Sequence, residues 1–128
     1  MIMIALVAHD ERKTALLEWA EEHRLALKRE KVVATGTTAR LLRERLGLQV
    51  TAVASGPEGG DQQIGALITT GEVSALVFFW DPLWAAPHAA DVHALLRIAT
   101  LHNIPVATNT AGADVMAAVG FPRLDRAA

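Results

Sequence analysis

Five short apolar runs punctuate this chain, and they constrain its fold more than any other feature. They are Ile2–Ala8, Val32–Thr35, Val50–Ala54, Ala75–Trp80 and Pro105–Thr108. None alternates cleanly between polar and apolar residues. Continuous runs of this length suit strands buried on both faces of a parallel sheet. Buried helix segments read the same way, so the stretches between them decide. Those stretches are helical in period. Leu16, Leu17 and Ala20 share a face opposite Glu18, Glu21 and Glu22. Thr38, Leu41, Leu42 and Arg45 share another, with Gly47 as its stop. Ile64, Leu67 and Ile68 make a third, followed by Gly71 as a C-terminal cap. Val92, Leu95, Leu96 and Ala99 form the clearest stripe, and Ala113–Val119 predicts a short helix before Gly120. Strand and helix alternate five times. The expectation is an α/β fold: one domain over residues 1–128, doubly wound in three layers around a five-stranded, mainly parallel sheet. Residues 122–128 are expected to form a mobile tail.

Composition removes whole classes of function. A length of 128 residues is one domain's worth. Without cysteine, disulfides, thiolate zinc sites and Cys nucleophiles are excluded. A net charge of −2 gives no electrostatic footprint for nucleic acid. Hydrophobic residues make up 52%, yet no run approaches the roughly 20 needed to span a bilayer. Met1–Ala8 lacks the basic leader and cleavage site of a signal peptide, so the cytoplasm is the expected location.

A doubly wound sheet binds its ligand beyond the carboxyl ends of its strands. Here all five ends carry polar residues: His9-Asp10, Thr35-Gly36-Thr37-Thr38, the stretch from Ser55-Gly56 to Gly59-Gly60-Asp61, Asp81 with His88 and Asp91, and Thr108-Asn109-Thr110. They are expected to converge. Three threonines around a glycine at a strand-to-helix turn point to an anion site, since first-turn N–H groups lack helical partners. The plainer reading is a threonine N-cap, which needs only one of them. Ser55-Gly56 suggests a second turn, with phosphate held between the two. Lys13 could add a positive charge; a lone lysine is more often a solvated one. Asp10, Asp61, Asp81 and Asp91 would repel a phosphate, so their presence argues for proton transfer, with clustering expected to raise their pKa values. Asp61 and Asp91 equally suit first helical turns. His9 and His88 fall in loops at the correct edge, whereas His23, His93 and His102 read as structural. No metal-ligand spacing is present, so a metal is not expected. Trp80 and Trp84 flank Asp81; Trp80 reads as core packing.

Taken in series, these segments resemble methylglyoxal synthase over nearly the whole chain. The resemblance rests on Ile4–Asp10, Ala34–Thr38, Ser55–Gln63, Phe78–Leu83, Pro87-His88, Asp91–Arg97 and Ile104–Asn109. It implies a carbon–oxygen lyase that converts dihydroxyacetone phosphate to methylglyoxal and inorganic phosphate, without cofactor or metal, as a homohexamer. It implies Asp61 as catalytic base, with His88 and Asp91 catalytic beside it. It implies substrate binding by His9, Lys13, Thr35, Gly36, Thr37, Thr38, Ser55, Gly56 and His88, with Asp10 and Asp81 as supporting acids. Inorganic phosphate is product and expected inhibitor; neither nucleic acid nor membrane is an expected partner. Longer members carry a C-terminal arginine that reaches a neighbouring subunit's phosphate, and Arg123 and Arg126 do not match it in context. Ala89-Ala90 stand where better capping residues are expected before Asp91. The alternative is a non-catalytic module of this type that binds a phosphorylated effector. It would need the Thr and Ser loops but not Asp61, His88 and Asp91 together. A flavodoxin-like or receiver module fits less well, because no aromatic flavin bracket is present.

Overall fold

The computed structural model describes residues 2–83 and 89–121, and only the backbone of 89–91. The five apolar runs form strands β1 (Met3–Ala8), β2 (Lys31–Thr35), β3 (Val50–Val53), β4 (Ala75–Phe79) and β5 (Val106–Ala107). They make one sheet of order β3-β2-β1-β4-β5, and every neighbouring pair is parallel. The sheet is therefore wholly parallel, where the sequence predicted a mainly parallel one. Between and after the strands lie α1 (Lys13–Glu22), α2 (Arg24–Lys28), α3 (Gly36–Leu46), α4 (Gly60–Thr69), α5 (Ala89–Leu101) and α6 (Thr110–Ala118). No helix among the described residues is long and apolar enough to cross a membrane.

Strand β1 is the axis of the molecule. In register, Ala5 lies opposite Val33 of β2 on one side and Leu76 of β4 on the other. Its side chains alternate between layers. Ile4, Leu6 and Ala8 pack into the cluster that holds Leu16 of α1, Leu42 of α3 and Met116 of α6. Ala5 and Val7 join Ile64 and Ile68 of α4 and Leu95 of α5. Ile4 and Leu6 are completely buried. Each such burial contributes roughly 1.5–3 kcal/mol.

Several expectations need correction. Strand β3 is not buried on both faces: it is an edge, and Thr51 and Ala52 are exposed. Arg45 leaves the apolar face of α3, whose buried residues are Thr38, Ala39, Leu42 and Leu46. The helix after β1 breaks at His23, whose backbone leaves the helical region (φ −107°, ψ 22°). The His23 Nε2 sits 2.9 Å from Asp114 Oδ1 of α6, so its structural reading holds, with a partner 91 residues away. His93 and His102 are exposed. Helix α6 begins three residues before the expected Ala113. Asn109 is extended and its side chain accepts the Gly112 N–H at 2.8 Å, an N-cap. Helix α5 begins at Ala89, so Ala89 and Ala90 are helical rather than capping residues. Expectations for Trp84, Pro87, His88, the Asp91 side chain, Arg123, Arg126 and the 122–128 tail lie outside the described residues.

Candidate active site

The carboxyl ends of four strands open into one cleft of about 490 Å³. His9, Asp10 and Lys13 reach it from β1, Thr35 and Thr37 from β2, Ser55, Gly56 and Asp61 from β3, and Asp81 from β4. Pro57, within the expected stretch, and Glu11 also line it; the sequence reading missed Glu11. The fifth strand end does not join them. Thr108, Asn109 and Thr110 line a separate cavity of about 300 Å³ with Arg12 and Trp80. Trp80 also packs against the α4–α5 core, as expected.

Two glycines bring the threonine and serine loops together. Gly36 opens α3, and a Cβ there would stand 3.4 Å from the Ser55 nitrogen. Its own N–H points to the Ala54 carbonyl at 3.4 Å. The Thr turn and the Ser turn are thus in backbone contact. At Gly60 a Cβ would lie 2.0 Å from the Ala54 oxygen, so only glycine fits. The Ser55 carbonyl accepts the N–H groups of Glu58 and Gly60, at 3.0 and 2.9 Å. Gln63 Oε1 accepts the Ala54 N–H at 2.7 Å and ties the loop to α4.

The threonines do not behave as a simple cap. Thr35 is the N-cap residue of α3, yet no side-chain bond caps the helix. Thr37 is exposed to the cleft. Thr38 is 1% exposed and does not line the cleft, and its hydroxyl has no partner among the described residues. A buried hydroxyl without a partner is costly.

The acids are not a self-repelling cluster. Lys13 Nζ donates to Asp10 Oδ1 at 2.7 Å and to the Ala8 carbonyl at 3.1 Å. Its side chain is 18% exposed, so it is an anchored lysine of the cleft rather than a solvated one. The Lys13 hydrogen bond and charge hold the Asp10 carboxyl below its ordinary value, against a small opposing effect of burial. The expected mutual raising of the acids therefore fails at Asp10. Asp81 lies 3.7 Å from Arg12 Nη2. Asp61 sits half-buried in the first turn of α4, over Gly56, where the helix N-terminus favours a carboxylate. The turn reading and the cleft reading both hold for it.

His9 is oriented by the backbone. The Asp81 N–H donates to His9 Nδ1 at 3.0 Å, across 72 residues of sequence. An N–H can only meet a lone pair, so Nδ1 is unprotonated and the ring proton sits on Nε2. Phe78 packs edge-on against the ring at 5.5 Å. One further group of possible metal donors, Glu22, His23 and Asp114, lies away from the cleft and is accounted for by the α1–α6 contact.

These features define a doubly wound α/β protein whose threonine and serine turns stand beside a carboxylate, with the cleft reaching the point where the strand order reverses. The MGS-like domain family matches residues 15–108. Methylglyoxal synthase of Photorhabdus laumondii is 58% identical over 87% of this chain and 73% of its own length. That of Erwinia tasmaniensis is 54% identical over 96% of this chain and 80% of its own. The crystal structure of methylglyoxal synthase from Elizabethkingia anophelis superposes with a TM-score of 0.86 at 44% identity, covering 91% of this chain and 76% of that one. The chain belongs to the methylglyoxal synthase family.

Proposed function

We propose that the cleft converts dihydroxyacetone phosphate to methylglyoxal and inorganic phosphate. One observation carries the reading: the Asp61 carboxylate opens onto the same cleft as the Thr35–Thr37 and Ser55–Gly56 turns. Asp61 takes a proton from the hydroxymethyl carbon beside the ketone. The ketone oxygen becomes an enediolate oxygen, and His88 is assigned as its donor, with His9 Nε2 as a further one. The hydroxyl on the former hydroxymethyl carbon then gives up its proton, which the leaving phosphate takes. The oxygen pair of that hydroxyl forms the aldehyde C=O, and the enediolate double bond shifts to expel phosphate from the other carbon. Thr35, Gly36, Thr37, Thr38, Ser55, Gly56 and Lys13 hold the growing charge. The enol left behind takes up a proton at its terminal carbon to give methylglyoxal, with Asp91 assigned as carrier. Asp10 and Asp81 act by pairing with Lys13 and Arg12. A module that only bound a phosphorylated effector would have no use for a carboxylate facing the phosphate loops.

We assign the protein to the cytoplasm, where a charged triose phosphate is retained. We also assign a homohexamer. Sedimentation measures the state. Phosphate, as product, is expected to compete with substrate. The deciding experiment incubates the protein with dihydroxyacetone phosphate and a chelator, and assays both products. Equimolar phosphate and methylglyoxal are expected. Asp61→Asn is expected to lose at least about 10²–10⁴ of turnover while still binding phosphate. Absence of product from folded protein refutes the reading.

A further inference from the structure

We propose that Arg12 is a positioning residue for this reaction: it fixes the Asp81 turn, and through the Asp81 backbone N–H it holds His9 in place in the cleft. The inference rests on the cleft being the active site. Arg12 itself does not line that cleft, and no motif in the sequence singles it out.

The geometry runs through one carboxylate. Asp81 follows β4, and its side chain is 12% exposed. Its Oδ1 accepts the Leu83 N–H at 3.0 Å, which closes the turn on itself. The same oxygen lies 3.7 Å from Arg12 Nη2. A carboxylate this sheltered needs a countercharge, and among the described residues Arg12 is the cation paired with it. Arg12 Nε is buried without a hydrogen-bond partner, while the side chain as a whole is 40% exposed, so its inner end is packed and its tip reaches the turn.

Arg12 stands three residues after His9, at the end of the 3-10 turn Asp10–Arg12. The loops after β1 and β4 are therefore tied twice at the point where the strand order reverses. One tie is Asp81 N–H to His9 Nδ1, and the other is Arg12 to the Asp81 carboxylate. The second tie orients the turn that supplies the first. Without it, the Asp81 carboxylate lacks its countercharge, the turn shifts, and its N–H no longer meets Nδ1. His9 then loses the bond that fixes its ring plane and keeps its proton on Nε2. Lys13 and the threonine and serine turns do not depend on Arg12, so phosphate binding does not.

The test is Arg12→Gln in the full-length protein. In wild type, a scalar coupling between the ¹⁵N nuclei of Asp81 and His9 Nδ1 is expected across the N–H···N bond. In Arg12→Gln that coupling is expected to vanish. There kcat falls about tenfold, while the dissociation constant for inorganic phosphate stays within about twofold. Asp81→Asn keeps the Leu83 acceptor but removes the charge, and serves if Arg12→Gln does not fold. It is expected to show the same loss, and Arg12→Gln added to it is expected to change kcat no further. A coupling that persists in the variants overturns the proposal. So does a kcat that is unchanged in either, or additive losses in the double variant. The coupling is read without substrate, so it stands or falls separately from the lyase reading.

Discussion

Gly60→Ala is the smallest change that should damage both stability and the cleft. An added Cβ would sit 2.0 Å from the Ala54 oxygen and 2.9 Å from the Ala54 carbon and the Ser55 oxygen. All three are backbone atoms, so no side chain can swing aside. Either α4 or the loop after β3 must move. Overpacking of this kind costs about 1–3 kcal/mol. Movement also breaks the Gly60–Ser55 and Ala54–Gln63 hydrogen bonds, each worth about 1 kcal/mol. The better helix propensity of alanine returns at most about 1 kcal/mol. The net expectation is a loss of about 2–4 kcal/mol, a large share of the roughly 5–15 kcal/mol that holds a domain together. Urea unfolding should show a lower midpoint with an unchanged slope. Because Asp61 is the next residue, a shift near 1 Å should also lower kcat about 100-fold. Gly65→Ala is the control: its Cβ would meet only the tip of Ile98, Cδ1, at 3.2 Å. It should stay within about 1 kcal/mol of wild type with unchanged kcat. The reasoning is refuted if Gly60→Ala unfolds like wild type and turns over normally.

The two neighbouring threonines should separate. Thr38→Val removes a buried hydroxyl without a partner, so the ligand-free protein should gain up to about 1 kcal/mol in thermal unfolding while phosphate affinity falls about tenfold. Thr37→Val should weaken phosphate with little change in stability, and equal phosphate inhibition in both variants and wild type would place the anion elsewhere. The Asp10–Lys13 pair gives a pH test. Asp10 is held below its ordinary 3.8, so its contribution is complete above that value and fades as pH falls through the lower folded-state value. With Asp10 93% exposed, solvent screening holds the contribution to about 0.5 kcal/mol. Asp10→Asn should therefore melt slightly lower than wild type at neutral pH and level with it in strong acid. A gap of the same size at both would show that the pair is not its source.

The strands were legible because a parallel sheet buries both faces, which leaves unbroken apolar runs such as Ala75–Phe79. The start of α6 is also written in the sequence, as an Asn109 three residues before Gly112, but the apolar run from Ala113 places the expected boundary later. The Asp10–Lys13 pair stands at helical neighbour spacing and could have been read. Other features could not. The partner of His23 at the helix break is Asp114, 91 residues on, and the His9 tautomer is set by a backbone N–H 72 residues on. Local periodicity carries no record of such partners. Nor does it distinguish an edge strand from an inner one, which is why β3 was misread as buried.

The strand order also sets a timetable for the ribosome. Strand β1 is made before the other four and ends in the middle of the sheet. It can pair with β2 once Thr35 has emerged, but its other edge stays open until β4, ending at Phe79, is made. Until then the nascent chain exposes an apolar strand edge that can join a stranger's. The dipeptide His9-Asp10, among the first functional residues translated, acquires its Asp81 partner only after that wait. The cleft is thus one of the last parts of the molecule to become itself, although it begins at the ninth residue.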